Sequence, residues 1–203
     1  LTEFTMMEIE FAGSFEDLLG YIESLIYYLA QAVINHPQAK EKLGLSDQNL
    51  KRLSDCPPKF HRFTYDQAIK KLQELGEDIK WGDDISSQRE KLLIATVGNQ
   101  PLFITHYPDP MYPEHENIEV EKFFNMLPSK DNPGRVLSSD CILPFGGESV
   151  GAAARVHTLD ELINRLKNSK MYKRLEKKGG DISDFERYID KIKTNGAVPH
   201  AGC

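Results

Sequence analysis

Apolar residues recur at helical spacing in several segments of the chain. In the longest segment, leucines and isoleucines follow Ser14 at intervals of three or four residues, and the pattern continues to Val33. Ser14 and Asp17 form a capping signal, so the pattern predicts an amphipathic helix that begins there and ends near Asn35. Other helices are predicted at about residues 43–53, 64–76, 86–94, 158–166 and 183–196.

Two of the later helices begin with the residue pairs of a capping box. Thr158 is followed by Glu161, and Ser183 is followed by Glu186. In such a pair the hydroxyl accepts a hydrogen bond from the first turn of the helix, and the carboxylate accepts one from the backbone of the cap residue. We expect Thr158 and Ser183 to be the N-caps and Gly196 to end the last helix.

Runs of apolar and β-branched residues predict the strands. Residues 1–11 have the pattern of a strand that is already under way at Leu1, with Glu8 and Glu10 on one face. Residues 136–143 and 148–156 predict a hairpin, and shorter strands are expected at 61–64 and 101–108. Strands that pair through hairpins, with helices between them, indicate an α+β fold with a mostly antiparallel sheet flanked by helices.

Two polar segments interrupt this order, at residues 35–58 and 109–121. We expect each to be an insertion or a mobile loop, and the whole acidic segment from Glu114 to Glu121 to be a solvated loop. The chain also begins inside a predicted strand and stops after Gly202-Cys203 without an element that closes a domain. We therefore expect residues 1–203 to be a partial domain, truncated at both ends.

The composition is that of an ordinary folded protein. Of the 203 residues, 40% are hydrophobic and 28% are charged, which excludes a disordered or fibrous chain. No apolar stretch approaches the roughly 20 residues of a membrane-spanning helix, so we expect a cytoplasmic protein that does not bind membranes. Cys56, Cys141 and Cys203 are far apart and lack metal-type spacing, and we expect them to be free thiols.

The formal net charge is -6. Because phosphate groups are bound by local clusters of Lys and Arg, this charge gives no general attraction to nucleic acid. Any contact with RNA must therefore be local, or be made outside this chain.

Several acidic residues fall on predicted strands. Glu8 and Glu10 share a strand face, Asp140 lies in mid-strand, and Glu148 begins the strand that ends with Arg155. A carboxylate in a sheet must find a partner or line a cleft. Salt bridges across an exposed face would explain each residue alone, whereas the group as a whole indicates a cleft for a zwitterion or a metal-bound phosphate.

The spacing of Glu148 and Arg155 constrains their strand. They are seven residues apart, which would place them on opposite faces of a regular strand. A β-bulge would bring both side chains to one face, and we expect it at Gly151. His106, His115 and His157 have no spacing that suggests a metal site, and we expect them to be surface or strand residues.

A series of short motifs follows one another in a specific order along nearly the whole chain. The motifs are Phe4-Thr-Met-Met-Glu8, Trp81-Gly-Asp-Asp84, Tyr107-Pro108, Lys122-Phe-Phe-Asn-Met126, the segment from Asp140 to Gly151, Arg155, and Val198-Pro-His-Ala-Gly202. In this order and spacing the chain resembles the catalytic domain of class II aminoacyl-tRNA synthetases of the asparaginyl and aspartyl branch, and it is closer to the asparaginyl enzymes.

The resemblance implies a site that forms an aminoacyl adenylate from ATP, with Mg²⁺ at the phosphates. By motif position, Asp140 and Glu148 would hold magnesium and ATP. Arg155 would bind the side-chain end of asparagine or aspartate, for which a planar guanidinium is well shaped. The resemblance also implies a homodimer and leaves binding of tRNA to regions outside this chain.

Three further residues would lie near the bound amino acid in this family. Glu8 would face the substrate ammonium group, and His200 and Gly202 would lie close to the substrate. For His200, a structural histidine bonded to the backbone is an equal alternative.

The chain also departs from the family pattern. Gly151-Ala-Ala-Ala154 stands where the family has a Gly-Gly-Ser run, and Asn125 stands where it has a tyrosine. The first signature motif, the arginine that opens the second motif and the glycine-rich third motif with its arginine are absent from the sequence, so we expect the chain alone to be inactive.

Three functions therefore remain open. The first is part of an asparaginyl-tRNA synthetase. The second is a paralog of the asparagine synthetase type, which would activate aspartate for amidation by ammonia without tRNA. The third is a non-catalytic domain that serves as a binding module.

Overall fold

The computed structural model describes residues 3, 5–115, 118–120 and 122–203. Its strands are β1 (Glu10–Ala12), β2 (His61–Thr64), β3 (Leu102–Thr105), β4 (Ser138–Leu143), β5 (Gly147–Ala154) and β6 (His200–Gly202). Its helices are α1 (Phe15–Asn35), α2 (Ala39–Lys42), α3 (Asp47–Ser54), α4 (Tyr65–Glu74), α5 (Ser87–Thr96), α6 (Leu159–Asn168), α7 (Lys170–Glu176) and α8 (Glu186–Asn195). A 3₁₀ turn at Ile182–Phe185 leads into α8.

The strands form one sheet in the order β1-β6-β5-β4-β3-β2. Neighbouring strands are antiparallel except β2 and β3, which are parallel and are connected through α4 and α5. The β4–β5 hairpin confirms the predicted pair of strands. The predicted α+β fold with a mostly antiparallel sheet is therefore confirmed.

Different helices pack against the two faces of the sheet. On the first face, α1 packs through Leu18 and Leu19 against a cluster that includes Phe103 and Cys141. On the second face, α4 and α5 pack against apolar residues of β3 and β4, at the end of the sheet near β2. Among the described residues this second cluster contains none from β1, β5 or β6, so that end of the face is left for polar side chains.

Helix α6 is attached to the segment before β4 by a buried ion pair. The guanidinium nitrogens of Arg165 lie 2.8 and 3.0 Å from the two carboxylate oxygens of Asp109, and both side chains are buried. The third nitrogen of Arg165 donates to the carbonyl oxygen of Phe124 at 2.8 Å. The pair therefore fixes the position of the chain next to Phe124.

The predicted caps are confirmed at α1 and wrong in part at the C-terminal helices. The Ser14 hydroxyl accepts a hydrogen bond from the backbone of Asp17, as expected. Thr158 is the N-cap of α6, but its hydroxyl meets the Glu161 carboxylate and caps no backbone group. Ser183 caps no helix, because Asp181 caps the 3₁₀ turn that precedes α8 and its carboxylate accepts from both the backbone and the hydroxyl of Ser183. Phe185 is the N-cap residue of α8, without a side-chain cap.

The N-terminal strand is shorter than predicted. Only Glu10–Ala12 is a strand, although Ile9 also pairs with Cys203 through backbone hydrogen bonds. The only described partner of β1 is the short strand β6, so residues 5–8 have no strand to pair with. Leu1, Thr2 and Phe4 lie outside the described residues. The first motif begins at Phe4, so its start lies outside them as well.

The two polar segments contain more structure than expected. Residues 35–58 contain α3, which corresponds to the helix predicted at about 43–53, and also the unpredicted α2; whether the segment is an insertion stays a prediction. In the acidic segment, Ile118 and Val120 are buried, because Gly82 accepts hydrogen bonds from the backbone of Glu119 and Val120. The expectation that this whole segment lies in solvent is therefore wrong.

None of the described helices combines the length and the apolar character that crossing a bilayer requires. All three cysteines are free thiols, as predicted. Burial raises the pKa of the Cys141 thiol to about 12, so it stays protonated and unreactive at neutral pH.

Candidate active site

A β-bulge in β5 determines which side chains meet on the sheet. Cys141 of β4 lies opposite Val150, but the next residue, Ile142, lies opposite Glu148. Ser149 is therefore the extra residue, next to the turn, where its hydroxyl donates to the carbonyl oxygen of Gly147. The bulge was predicted correctly but placed wrongly, because Gly151 pairs regularly with Asp140.

The bulge brings the acidic residues to one face. Because of the extra residue, Glu148 shares a face with Gly151, and a Cβ atom at Gly151 would lie 3.6 Å from the Glu148 carboxylate. Gly151 is the register partner of Asp140, so Asp140 and Glu148 lie on the same face. The same alternation along β5 places Arg155 on that face as well.

Asp140 has a cationic partner. The ammonium group of Lys122 lies 2.9 and 3.1 Å from the two oxygens of Asp140, and the two side chains are only 16% and 14% exposed. The same ammonium lies 3.8 Å from the centre of the Tyr107 ring, a cation–π contact. Burial, and then the charge of Asp140, raise the pKa of the Tyr107 hydroxyl well above its ordinary value, so the hydroxyl stays protonated.

A further acidic residue, Glu90 of α5, lies beside Glu148. It was not identified as a site residue from the sequence. Glu90 is buried, and its carboxylate lies beside the start of β5, where a Cβ atom at Gly147 would be 3.5 Å from it. A signal was present, because Glu90 lies three and four residues before Leu93 and Ile94, on the buried side of the helix. An acidic residue at such a position requires a polar partner.

The acidic residues influence one another. Glu148 is an exposed residue, but the protein around its carboxylate displaces part of the water there; this desolvation, and next the negative charge of Asp140, raise the pKa of Glu148, while Lys122 lowers it. Burial, and next the charge of Glu148, raise the pKa of Glu90. This part of the face is therefore a concentration of negative charge to which a cation is attracted.

The other half of the site contains an arginine. The Arg155 guanidinium donates to the Glu10 carboxylate at 2.8 Å, across strand β6. The carboxylate of Glu10 lies directly over Gly202, and a Cβ atom at Gly202 would overlap it. Gly202 is therefore the residue that allows Glu10 to reach Arg155.

The remaining predicted site residues make fewer contacts. Glu8 is exposed, and within the described part of the chain no hydrogen bond or ion pair is formed by its side chain. The Nδ1 atom of His200 donates to the carbonyl oxygen of Val198 at 2.8 Å, and its own carbonyl oxygen accepts from the backbone of Arg155. These contacts favour the structural alternative for His200.

The alanine run of β5 divides between the two faces. Ala152 and Ala154 pack into the cluster under α1. Ala153 lies on the other face, opposite Ser138 and Gly202, between the two halves of the site. Of the three alanines in this run, only Ala153 therefore places its methyl group at the border of the site.

The chemistry of the carboxylates fits magnesium. Mg²⁺ is usually held by one or two carboxylates together with substrate phosphates and waters, and Asp140 and Glu148 are such a pair. Across the described ranges, no three His, Cys, Asp or Glu side chains converge as an all-protein metal site.

The sequence is similar to one family over its whole length. The family described as tRNA synthetases class II (D, K and N) matches residues 1–203. The asparagine–tRNA ligase of Pyrococcus horikoshii is 32% identical over 204 residues, which cover all of this chain and 42% of that protein. The chain therefore spans about two fifths of the length of this curated relative.

Solved structures have the same fold. A crystal structure of asparaginyl-tRNA synthetase from Pyrococcus horikoshii, complexed with asparaginyl-adenylate, superimposes with a TM-score of 0.77 at 31% identity, over 96% of this chain and 40% of that one. The asparaginyl-tRNA synthetase of Entamoeba histolytica, also with asparaginyl-adenylate, gives a TM-score of 0.71 at 27% identity, over 96% and 40% of the two chains.

Proposed function

The chain belongs to the class II tRNA synthetases of the D, K and N group, and from this premise we propose that it is part of an asparaginyl-tRNA synthetase. The complete protein would activate asparagine with ATP and transfer it to tRNA. The observation that carries the proposal is the shared sheet face, on which Asp140 and Glu148 lie at one end and the Glu10–Arg155 pair at the other. Family resemblance supports a cytoplasmic homodimer.

In the proposed reaction, the carboxylate of asparagine attacks the α-phosphorus of ATP. A new oxygen–phosphorus bond forms, the bond to the β-phosphate oxygen breaks, and pyrophosphate leaves. Asp140 and Glu148 would hold magnesium, which when bound offsets the charge of the phosphates. The protein's own contribution is to orient the two substrates and to hold fixed charges where charge develops.

The arginine half of the site would bind the amino acid. Arg155 would donate to the side-chain carbonyl of asparagine, and Glu8 and Glu10 would face its ammonium or amide N–H groups. The absence of a side chain at Gly202 lets Glu10 reach Arg155, and His200 orders the adjacent backbone through Val198. Since Glu10 already offsets part of the Arg155 charge, a second substrate carboxylate gains less here than an amide does.

One observation favours the second candidate, the aspartate-activating asparagine synthetase type. Ala153 lies between the two halves of the site, where the family pattern has a hydroxyl. A methyl group there removes a polar contact, so the choice of substrate can differ from that of the family.

The test is pyrophosphate exchange into ATP by the complete protein, with asparagine or aspartate and with or without tRNA. We expect exchange with asparagine, and transfer of asparagine to tRNA. Aspartate-dependent exchange, with asparagine formed from ammonia in the absence of tRNA, would establish the second candidate instead. If neither amino acid supports exchange, the third candidate, a non-catalytic domain, would be favoured.

A variant sharpens the choice of substrate. Glu10→Gln removes the charge that offsets Arg155, so the ratio of kcat/KM for asparagine to that for aspartate should fall about tenfold. Glu16→Gln is the matched control, because Glu16 pairs with Arg62 on α1 and β2. An unchanged ratio in Glu10→Gln would show that Glu10 does not set specificity.

A further inference from the structure

A cavity on the α1 side of the sheet lies apart from the candidate active site. It has a volume of about 660 Å³ and lies between the C-terminal half of α1, the end of α3, the loop that precedes β3 and the β4–β5 turn. Leu143, at the end of β4, packs against the cluster under α1, whereas Asp140 and Glu148 lie on the opposite face. The volume is that of a small-molecule site, and the described residues of the candidate active site do not line it.

The walls of the cavity are mostly apolar. Four side chains of α1, at spacings of three and four residues, form one wall: Ile26, Leu29, Ala30 and Val33. Leu53 of α3 and Leu143 add to the apolar lining. Leu29 is 52% exposed, so a ligand in the cavity would remove apolar surface of the helix from water.

Two opposite charges line the same cavity. Arg52 and Asp55 lie three residues apart at the end of α3, and both are exposed. Among the residues that the structure describes, neither side chain forms a hydrogen bond or an ion pair, and the Arg52 guanidinium rests 3.8 Å from the centre of the Phe145 ring. The cavity therefore offers one cation and one anion beside an apolar wall.

The β4–β5 turn holds Phe145 at this cavity in an unusual backbone conformation. Phe145 has a φ of 67°, which residues other than glycine rarely adopt, and its side chain is 70% exposed. Residues held in such conformations cluster at sites that hold a ligand. The conformation of the turn thus agrees with a binding role for the cavity.

We propose that this cavity binds a free amino acid with a large apolar side chain, at a second site that is separate from the one proposed to activate asparagine. The carboxylate of the ligand pairs with Arg52, its ammonium group pairs with Asp55, and its side chain lies against the apolar wall of α1. A guanidinium presents paired donors that match a carboxylate, and an ammonium group has only donors, which a carboxylate accepts.

The two charges select this class of ligand. A simple apolar acid would pair with Arg52 but would bring its negative charge close to Asp55, and a simple apolar amine would bring its positive charge close to Arg52. An apolar helix, such as α1 of a second copy of the chain, would cover Leu29 but would leave both charges without a partner. A zwitterion satisfies both residues at once.

The test measures binding by isothermal titration calorimetry of the complete protein with L-phenylalanine. We expect 3-phenylpropanoate, which lacks the ammonium group, and 2-phenylethylamine, which lacks the carboxylate, each to bind at least about tenfold more weakly, because each loses a charged hydrogen-bonded pair. Arg52→Met and Asp55→Asn should each raise the Kd for L-phenylalanine about tenfold for the same reason. Saturating asparagine should leave this Kd unchanged, because the two sites are separate.

Lys51→Met and Asp47→Asn are the matched controls, because they make the same changes in charge at exposed residues of α3 that do not line the cavity. Both should bind L-phenylalanine as the wild type does. For the apolar wall, Leu29→Ser should weaken binding, whereas Tyr28→Ser, at the next and equally exposed residue of α1, should not.

The proposal is overturned if L-phenylalanine does not bind, or if the Arg52 and Asp55 variants bind it as tightly as the controls do. Equal binding of 3-phenylpropanoate would overturn it in favour of a simple apolar acid. Association of two copies in analytical ultracentrifugation that Leu29→Ser abolishes would overturn it in favour of a second chain in the cavity. These measurements need no ATP, so failure of the proposed function appears separately, as absent pyrophosphate exchange.

Discussion

The ammonium group of Lys122 binds both carboxylate oxygens of Asp140, at 2.9 and 3.1 Å, while it rests on the face of the Tyr107 ring. Asp140, one of the two carboxylates proposed for magnesium, therefore already has a cationic partner in the protein. A divalent cation at Asp140 has to share the carboxylate with Lys122 or displace it.

Lys122→Met should therefore strengthen binding of a divalent cation. The change removes the competing charge and leaves Asp140 and Glu148 as an uncompensated pair, so we expect the Kd for Mn²⁺ to fall about tenfold. Electron paramagnetic resonance of free Mn²⁺ measures this directly. Lys91→Met, on the exposed side of α5, is the control and should leave the Kd for Mn²⁺ unchanged. An equal Kd in the wild type, Lys122→Met and Lys91→Met would show that Lys122 does not affect cation binding.

Glu148→Gln should abolish pyrophosphate exchange without unfolding the protein. The substitution keeps the shape of the side chain and removes its charge, and Glu148 is exposed, so the free energy of unfolding should change by less than about 0.5 kcal/mol. Exchange assays and urea unfolding give the two values. Retained exchange with a large loss of stability would assign Glu148 to a structural role instead.

Glu90 should make the protein less stable as pH rises. Its pKa in the folded protein is above the ordinary value of 4.5, so the native state binds the proton more tightly than the unfolded state does. The free energy of unfolding then decreases with pH from about 4.5 up through the raised pKa. Glu90→Gln keeps the shape of the side chain and removes its charge, so it should gain stability relative to the wild type between pH 4 and pH 8. A difference that stays constant with pH in urea unfolding would contradict this assignment.

Gly202→Ala should impair the arginine half of the site. The added methyl group would overlap the Glu10 carboxylate, so Glu10 must leave Arg155. We expect KM for the amino acid in pyrophosphate exchange to rise about tenfold while KM for ATP stays the same. Gly20→Ala is the control, because nothing lies within 4 Å of a Cβ atom there, and it should stabilise α1 by about 1 kcal/mol. A rise in both KM values would indicate general distortion of the sheet.

Asp109→Ala should be strongly destabilising. It leaves the buried Arg165 guanidinium without its carboxylate partner, and losing one partner of such a pair costs about 3–5 kcal/mol. Asp190→Ala breaks the exposed pair with Lys193 and should cost less than about 1 kcal/mol. Urea unfolding compares the two variants, and similar losses would show that the buried pair contributes no more than the exposed one.

The periodic elements could be predicted from the sequence because their signals are local. The apolar spacing after Ser14 and the turn between β4 and β5 each depend on neighbouring residues, and both are confirmed. The Ser183 cap was predicted wrongly because Asp181, two residues earlier, is an equally good cap residue and caps a turn that already contains Ser183; the residue pattern does not decide between two such caps. The site face was predictable in part, since the seven-residue spacing of Glu148 and Arg155 already required a bulge.

The parts of the site that escaped prediction depend on distant contacts. The pairing of Lys122 with Asp140 follows from the position of a loop over the sheet, and that of Glu10 with Arg155 follows from strand order; no local pattern contains either. The place of the bulge follows from the register between β4 and β5. Likewise the buried state of Val120 follows from its hydrogen bond to Gly82, nearly 40 residues earlier.

The two halves of the site are completed at different stages of synthesis on the ribosome. Asp140 and Glu148 belong to one hairpin, so they meet as soon as β4 and β5 have emerged. Glu10 is synthesised long before Arg155, 145 residues away, and it reaches that arginine across β6, which follows later still. Contacts between distant segments form slowly, because a long loop must close first. A nascent chain that ends before β6 therefore carries the acidic half of the site, whereas the half proposed to select the amino acid is completed only when β6 joins β1 to β5.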